Sequence, residues 1–250
     1  MPIPPTNSSA SALDLRNTAR ARSKPNLGVR FAVAILFSAI AVAAILFLPA
    51  GTLHFWQAWA YFAVFILPIM ITYLYFLKTD PRMLESRLKS DEQVSEQRLL
   101  MRSARLIAVS ILLLPGFDYR FDWSRSRLGP QPLWLTWLSM LMVLAGLCAA
   151  LWVMNVNRFA GATIGVEADQ KVITSGPYRI VRHPMYAAGA VLWLFTPLAL
   201  SSWISLPAFA LIVPFCVLRI LSEEKVLREQ LPGYIDYCQR IRYRLIPLLW

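Results

Sequence analysis

The chain has 250 residues, 57% hydrophobic and only 16% charged, whereas an ordinary soluble domain is about 25% charged; that balance excludes a conventional water-soluble globule. The net charge of +11 does not argue for nucleic acid, because the basic residues flank apolar runs instead of forming one continuous stripe, and anionic lipid headgroups are the simpler partner. Cys148, Cys216 and Cys238 stand in no metal-ligand or CxxC spacing, and His54 and His183 are the only histidines, so neither a disulfide framework nor a metal is expected.

Residues 1–28 are polar, rich in Pro and Ser, and carry Arg16, Arg20, Arg22 and Lys24. This composition predicts a disordered basic arm. The apolar run from Phe31 to Leu48 is longer than a signal-peptide core and reads as a first retained span. After a turn containing Pro49 and Gly51, a second span runs from Phe55 to Leu77, so the two form a helical hairpin. Asp80 before Pro81 is an N-cap followed by proline at the first helical position, opening a polar helix in which Glu85 and Lys89 are spaced to pair.

A third apolar stretch, Leu99 to Phe117, is interrupted by Arg102 and Arg105. Residues 118–131 read as a polar connector and Leu133 to Met154 as a fourth span. A polar, Gly-rich segment, 155–185, precedes two further apolar runs, Tyr186 to Leu200 and Trp203 to Leu221, joined by a tight turn at Ser201 and Ser202. The remainder predicts a helix, a Pro232-Gly233 break and a basic amphipathic tail.

The expected fold is therefore an all-α integral membrane protein with about six transmembrane helices, five being the alternative count. With six spans, only Arg120, Arg125 and Arg127 of the 25 Lys and Arg residues fall on one side. By the positive-inside bias, both termini and the 155–185 segment should face the cytosol.

Two strings carry candidate chemistry. In VITSGPYRIVRHPMYAAG, Val172 to Gly189, Pro184 biases His183 away from helix just where the chain re-enters the membrane. Irregular backbone at that depth is tolerated only against protein or a polar cavity, which suggests a binding cavity. The plainer account is that Arg182 snorkels, His183 caps a helix and Tyr186 is an interface aromatic. In RILSEEKVLREQLPGYIDY, Glu223 and Glu224 emerge at the end of the last span, one helical turn after Arg219. An intrahelical ion pair explains them, yet ionisable residues at a membrane boundary also mark functional sites.

Together, GPYRIVRHPMY, the apolar hairpin, EEKVL and LPGYIDYCQRIRYRLIP resemble the isoprenylcysteine carboxyl methyltransferase and phospholipid methyltransferase superfamily across residues 155–250, most closely its short prokaryotic members. The resemblance implies an S-adenosyl-L-methionine pocket at the cytosolic face, closed by the C-terminal segment, with a hydrophobic, lipid-like or prenylcysteine-like methyl acceptor arriving through the bilayer. It implies an inner-membrane, multi-pass enzyme with an arm at 1–28, N-terminal spans and linker at 29–131, and a methyltransferase core at 132–250. By resemblance, Gln170, Val172, Ile173 and Tyr178 would line the cofactor pocket, and Arg182, His183, Pro184, Tyr186 and Glu223 would hold the cofactor. Arg219 would meet the substrate's polar group and, with Glu224, form the catalytic pair.

The sequence departs from the eukaryotic prenylcysteine enzymes at Gln170, where histidine is expected, and in its short acidic run. From the phosphatidylethanolamine branch it departs in having Gly176-Pro177-Tyr178 in place of GxG. An NADPH-dependent sterol-type reductase and a non-enzymatic transporter or scaffold are the alternative readings.

Overall fold

The structure is a computed structural model that describes residues 27–79, 95–157 and 170–250, with side chains for 28–79, 106–157 and 170–250. The basic arm up to residue 26, the Asp80-Pro81 helix start, the Glu85–Lys89 pair and the side chains of Arg102 and Arg105 lie outside what is described. Residues 27–37, the start of the first helix, belong to one compact unit, and Ser38–Trp250 form the second, which holds the core and both polar sites discussed below.

The described residues are helical and contain no strand. The helices are α1 Leu27–Ala50, α2 Trp56–Thr79, α3 Ser95–Phe121, α4 Trp123–Leu128, α5 Leu133–Val156, α6 Pro184–Ala199, α7 Leu206–Ala210, α8 Ile212–Gln230 and α9 Tyr234–Arg240. Among the described residues, four stretches are long and apolar enough to cross a bilayer: Gly28–Ala50, Trp56–Thr79, Leu133–Val156 and the α7–α8 tract Leu206–Gln230. Leu67, Ile71, Leu141, Trp152 and Leu218 lie exposed on these helices, as expected of side chains that meet lipid.

The expected fifth span is α6, whose 16 residues reach only about 24 Å at 1.5 Å per residue, short of a hydrocarbon core of about 30 Å. The expected sixth is divided at Leu211. Pro214 has no N–H to offer the Ala210 carbonyl, so the helix restarts there.

The core of the bundle joins four elements. Leu46, Phe47 and Ala50 of α1, Phe55, Ala58 and Tyr61 of and before α2, Met140 and Val143 of α5, and Ala199 and Leu200 at the end of α6 pack together. Gly51, at φ +67, makes the α1–α2 turn, and its N–H bonds the Phe47 carbonyl at 3.0 Å. The Tyr61 and Thr196 hydroxyls hydrogen-bond at 3.1 Å between α2 and α6. Helices α5 and α6 approach most closely at Gly146, where a Cβ would sit 2.8 Å from the Leu192 nitrogen and 2.9 Å from the Ala188 oxygen.

The 118–131 connector is more ordered than its polarity suggests. Helix α3 continues to Phe121 and α4 follows at once, because Asp118 turns back to accept the Ser124 N–H at 2.7 Å and the Ser124 hydroxyl.

Candidate active site

Three segments meet at the end of the bundle where α5 finishes and α6 begins. Gly176 adopts φ +56, and a Cβ there would meet Val156 Cγ2 at 3.1 Å. A glycine lets the chain turn closely against the end of α5. A single 3-10 turn, Gly176–Arg179, follows, and His183 takes φ −122, ψ 61 before α6 opens with Pro184 in its first turn. Proline forces that non-helical residue before it and suits the position it holds.

Arg182 and His183 both point inward, 6% and 4% exposed. Their backbone N–H groups donate to the Tyr243 and Arg244 carbonyls, each at 2.9 Å. The Arg182 guanidinium donates from Nε to Glu224 Oε1 at 2.7 Å and from Nη1 to the Ile241 and Arg242 carbonyls at 2.9 and 3.0 Å. The C-terminal segment is thereby strapped across the His183 turn. Glu224, 3% exposed, also accepts Arg244 Nε at 3.1 Å and lies 3.6 Å from Arg228 Nη2 and 3.4 Å from His183 Nε2.

A buried charge is tolerable only when paired and hydrogen-bonded, and Glu224 is both. The apolar part of α8 ends at Leu221, so Glu224 lies beyond it. Burial alone would raise its carboxyl pKa, but the hydrogen bond with His183 and the charges of Arg182, His183 and Arg244 prevail and lower it to about 2.

Glu223 is engaged differently. Its Oε2 accepts the Tyr186 hydroxyl at 2.6 Å, and Arg219, which is 5% exposed, lies near enough to act electrostatically on Tyr186. Tyr186, Arg219 and Glu223 thus form a second polar group beside the first. The aromatic wall comes from both strings: Asn157 Nδ2 donates to the Tyr178 hydroxyl at 2.8 Å and the Tyr237 hydroxyl donates to the Tyr178 carbonyl at 2.8 Å. Val172 packs on Leu231, Tyr234 and Tyr237. Burial raises the phenol pKa of both Tyr234 and Tyr237 above the ordinary tyrosine range. The Tyr234 hydroxyl is buried and has no hydrogen-bond partner among the described residues.

Of the residues singled out in the sequence, Val172, Tyr178, Arg182, His183, Tyr186, Arg219, Glu223 and Glu224 take part in these contacts. Pro184 is buried at the α6 start, while Gln170 and Ile173 are half-buried on the strand of chain leading in. Arg244, Tyr234 and Tyr237 were not singled out. Tyr234 and Tyr237 are three residues apart and so share a helix face, a spacing visible in LPGYIDY; nothing local marks Arg244.

The phospholipid methyltransferase family profile matches residues 134–232, which include both polar groups apart from Arg244. Protein-S-isoprenylcysteine O-methyltransferase B of Arabidopsis thaliana is 38% identical over 78 residues, 30% of this chain and 39% of that protein. The solved eukaryotic intramembrane Ras methyltransferase, isoprenylcysteine carboxyl methyltransferase, shares the fold with a TM-score of 0.54 at 21% identity, covering 76% of this chain and 65% of that one. The family match over residues 134–232 and these relatives support a place in the isoprenylcysteine carboxyl methyltransferase and phospholipid methyltransferase superfamily.

The nickel-cobalt-cadmium resistance protein NccN of Alcaligenes xylosoxydans xylosoxydans is also similar, 28% identical over 109 residues, 42% of this chain and 50% of that protein. The matched segments span half or less of the curated relatives. Within the superfamily profile lie α5, the Gly176 turn, α6, α7 and α8; α9 and the strap that Arg182 holds follow it.

Proposed function

We propose that the protein is an S-adenosylmethionine-dependent methyltransferase acting on a lipid-like or prenylcysteine-like acceptor that reaches the site through the bilayer. The observation that carries this reading is the different use of two adjacent carboxylates. Glu224 is consumed by Arg182, His183, Arg228 and Arg244, whereas Glu223 is taken up by none of these and stands with Tyr186, near Arg219.

The residues fit the cofactor. A carboxylate such as Glu223 can accept hydrogen bonds from ribose hydroxyls or an ammonium, and the Tyr234 hydroxyl, which has no partner among the described residues, is a buried polar atom that a bound group would satisfy. Tyr178 and Val172 offer an aromatic and apolar wall, with Gln170 and Ile173 leading into it.

S-adenosylmethionine, when bound, supplies a methyl group on a sulfonium for in-line displacement. The chain's own task is positioning and exclusion of water. Arg219 would take the acceptor's polar group in its planar fork. Glu224 acts as a positioning residue, fixing Arg182 and His183 and through them the closing strap.

Isothermal titration of the detergent-purified protein with S-adenosylmethionine, S-adenosylhomocysteine and NADPH tests the proposal. Binding of the two sulfur nucleosides and not of NADPH is expected; binding of NADPH alone would sink the methyltransferase reading in favour of a reductase.

A further inference from the structure

A second polar cavity lies at the other end of the bundle. Helix α5 carries Thr136 in its first turn and ends beside Asn157, which bonds Tyr178. Its 24 residues therefore separate the two ends by about 36 Å. The cavity has a volume of about 370 Å³, and Gln57, Asp122, Arg125, Gln131, Thr136 and Ser201 line it.

Its frame is fixed. Asp118 accepts from Ser124 and from Ser202, and the Ile204 N–H donates to the Ser124 hydroxyl at 3.0 Å, tying α3 and α4 to the loop after α6. Its floor is short of donors. Gln131 Nε2 donates to the Leu198 carbonyl at 2.6 Å and to Thr136 at 2.8 Å, and a carbonyl can face only the NH2 end of an amide. Among the described residues the Gln131 oxygen is left without a donor, as is that of Gln57, both buried.

The mouth carries both signs of charge. Asp122 stands in the left-handed region at φ 56 and its carboxylate does not cap α4. Asp122 and Arg125 are exposed, and among the described residues neither has an ion-pair partner. Aromatic pairs surround this end: Phe55 stacks on Tyr119 at 4.2 Å, Phe121 on Trp123 at 5.3 Å, and Trp56 meets Trp137 at 5.6 Å. Trp and Tyr concentrate at headgroup depth, which places the mouth among headgroups.

We propose that this cavity binds the phosphoethanolamine headgroup of a bilayer lipid, with the phosphate on Arg125 and the ammonium at Asp122 facing the donor-poor floor. A primary ammonium brings three N–H donors, whereas a choline headgroup brings none and a glycerol headgroup brings no positive charge. The site is separate from the Glu223 cleft and does not rest on the methyl-transfer reading.

Delipidated protein in detergent, titrated with phosphatidylethanolamine, phosphatidylcholine, phosphatidylglycerol and free glycerophosphoethanolamine and followed by native mass spectrometry and thermal shift, provides the test. Phosphatidylethanolamine should bind about tenfold more tightly than the other two lipids, the value of one charge-assisted hydrogen bond. Asp122→Asn and Arg125→Gln should each remove most of that preference while leaving the lipid-free melting temperature unchanged; both are exposed, and asparagine tolerates the left-handed backbone. Equal binding of the ethanolamine and choline lipids, or an undiminished preference in both variants, would overturn the assignment. Free glycerophosphoethanolamine binding as tightly as the lipid would overturn the membrane source.

Discussion

Glu223 and Glu224 follow one another on α8, and their side chains leave the helix about 100° apart, so each meets different neighbours. Glu224 turns into Arg182, His183 and Arg244. Removing its charge leaves Arg182 buried and unpaired, so Glu224→Gln should cost about 3 kcal/mol, read as a lower midpoint of detergent-phase unfolding. The same pairing sets a pH dependence. The folded carboxyl is lowered to about 2 from an ordinary 4.5, so its stabilising contribution is complete above about pH 4.5 and is lost as pH falls toward 2. Unfolding midpoints measured from pH 6 down to 3 should fall more steeply for the wild type than for Glu224→Gln; parallel slopes would show that Glu224 is not the titrating group. Glu223→Gln should behave otherwise, keeping the midpoint while weakening S-adenosylhomocysteine binding about tenfold, the worth of a hydrogen bond to a charged group. Unchanged affinity would remove Glu223 from the cofactor site.

At the scale of elements, the α5–α6 contact decides how the site is held, since α5 brings Asn157 to Tyr178 and α6 begins at His183. Their backbones touch at Gly146, where an added methyl meets a main-chain nitrogen and a main-chain oxygen that cannot turn aside. Gly146→Ala should therefore cost about 1–3 kcal/mol by overpacking, measured by thermal unfolding, while Gly189→Ala, with nothing within 4 Å of its added methyl, should be neutral. Equal effects of the two would mean that close approach is not what Gly146 provides. The apolar runs of α1, α2 and α5 were legible in the sequence because lipid imposes one simple composition on a long segment. The Ser201 turn was legible too. The continuation of α3 into α4 was not, because it depends on Asp118 bonding Ser124 across a polar stretch that composition alone marks as loop. Nor was the division at Leu211, where one proline outweighs an apolar run. In the site, Glu223 and Glu224 read alike as carboxylates after a span. Their separate partners became visible only when chain folding brought Tyr186 to one and Arg244 to the other.

Across the whole molecule, a short helix and an uneven charge distribution bear on the same question of how a water-soluble donor and a lipid acceptor could meet. Helix α6 covers about 24 Å, less than a roughly 30 Å core, and we propose that a lipid-borne group reaches Arg219 sideways where the helix falls short. Arg120, Arg125 and Arg127 are the only basic residues at the Asp118 end between the third and fourth apolar stretches, while the His183 end and the C-terminal tail carry Arg179, Arg182, Lys225, Arg228, Arg240, Arg242 and Arg244. By the positive-inside bias we propose that the His183 end faces the cytosol, the side that would supply a soluble nucleoside. With the three native cysteines changed to serine, Arg240→Cys should react with a membrane-impermeant maleimide only after cells are permeabilised, and Arg127→Cys should react in intact cells. Both residues are exposed, so access is decided by the membrane and not by the fold. The reverse labelling pattern would put the cleft on the outer face, away from any cytosolic methyl donor, and the proposed reaction would lose its supply.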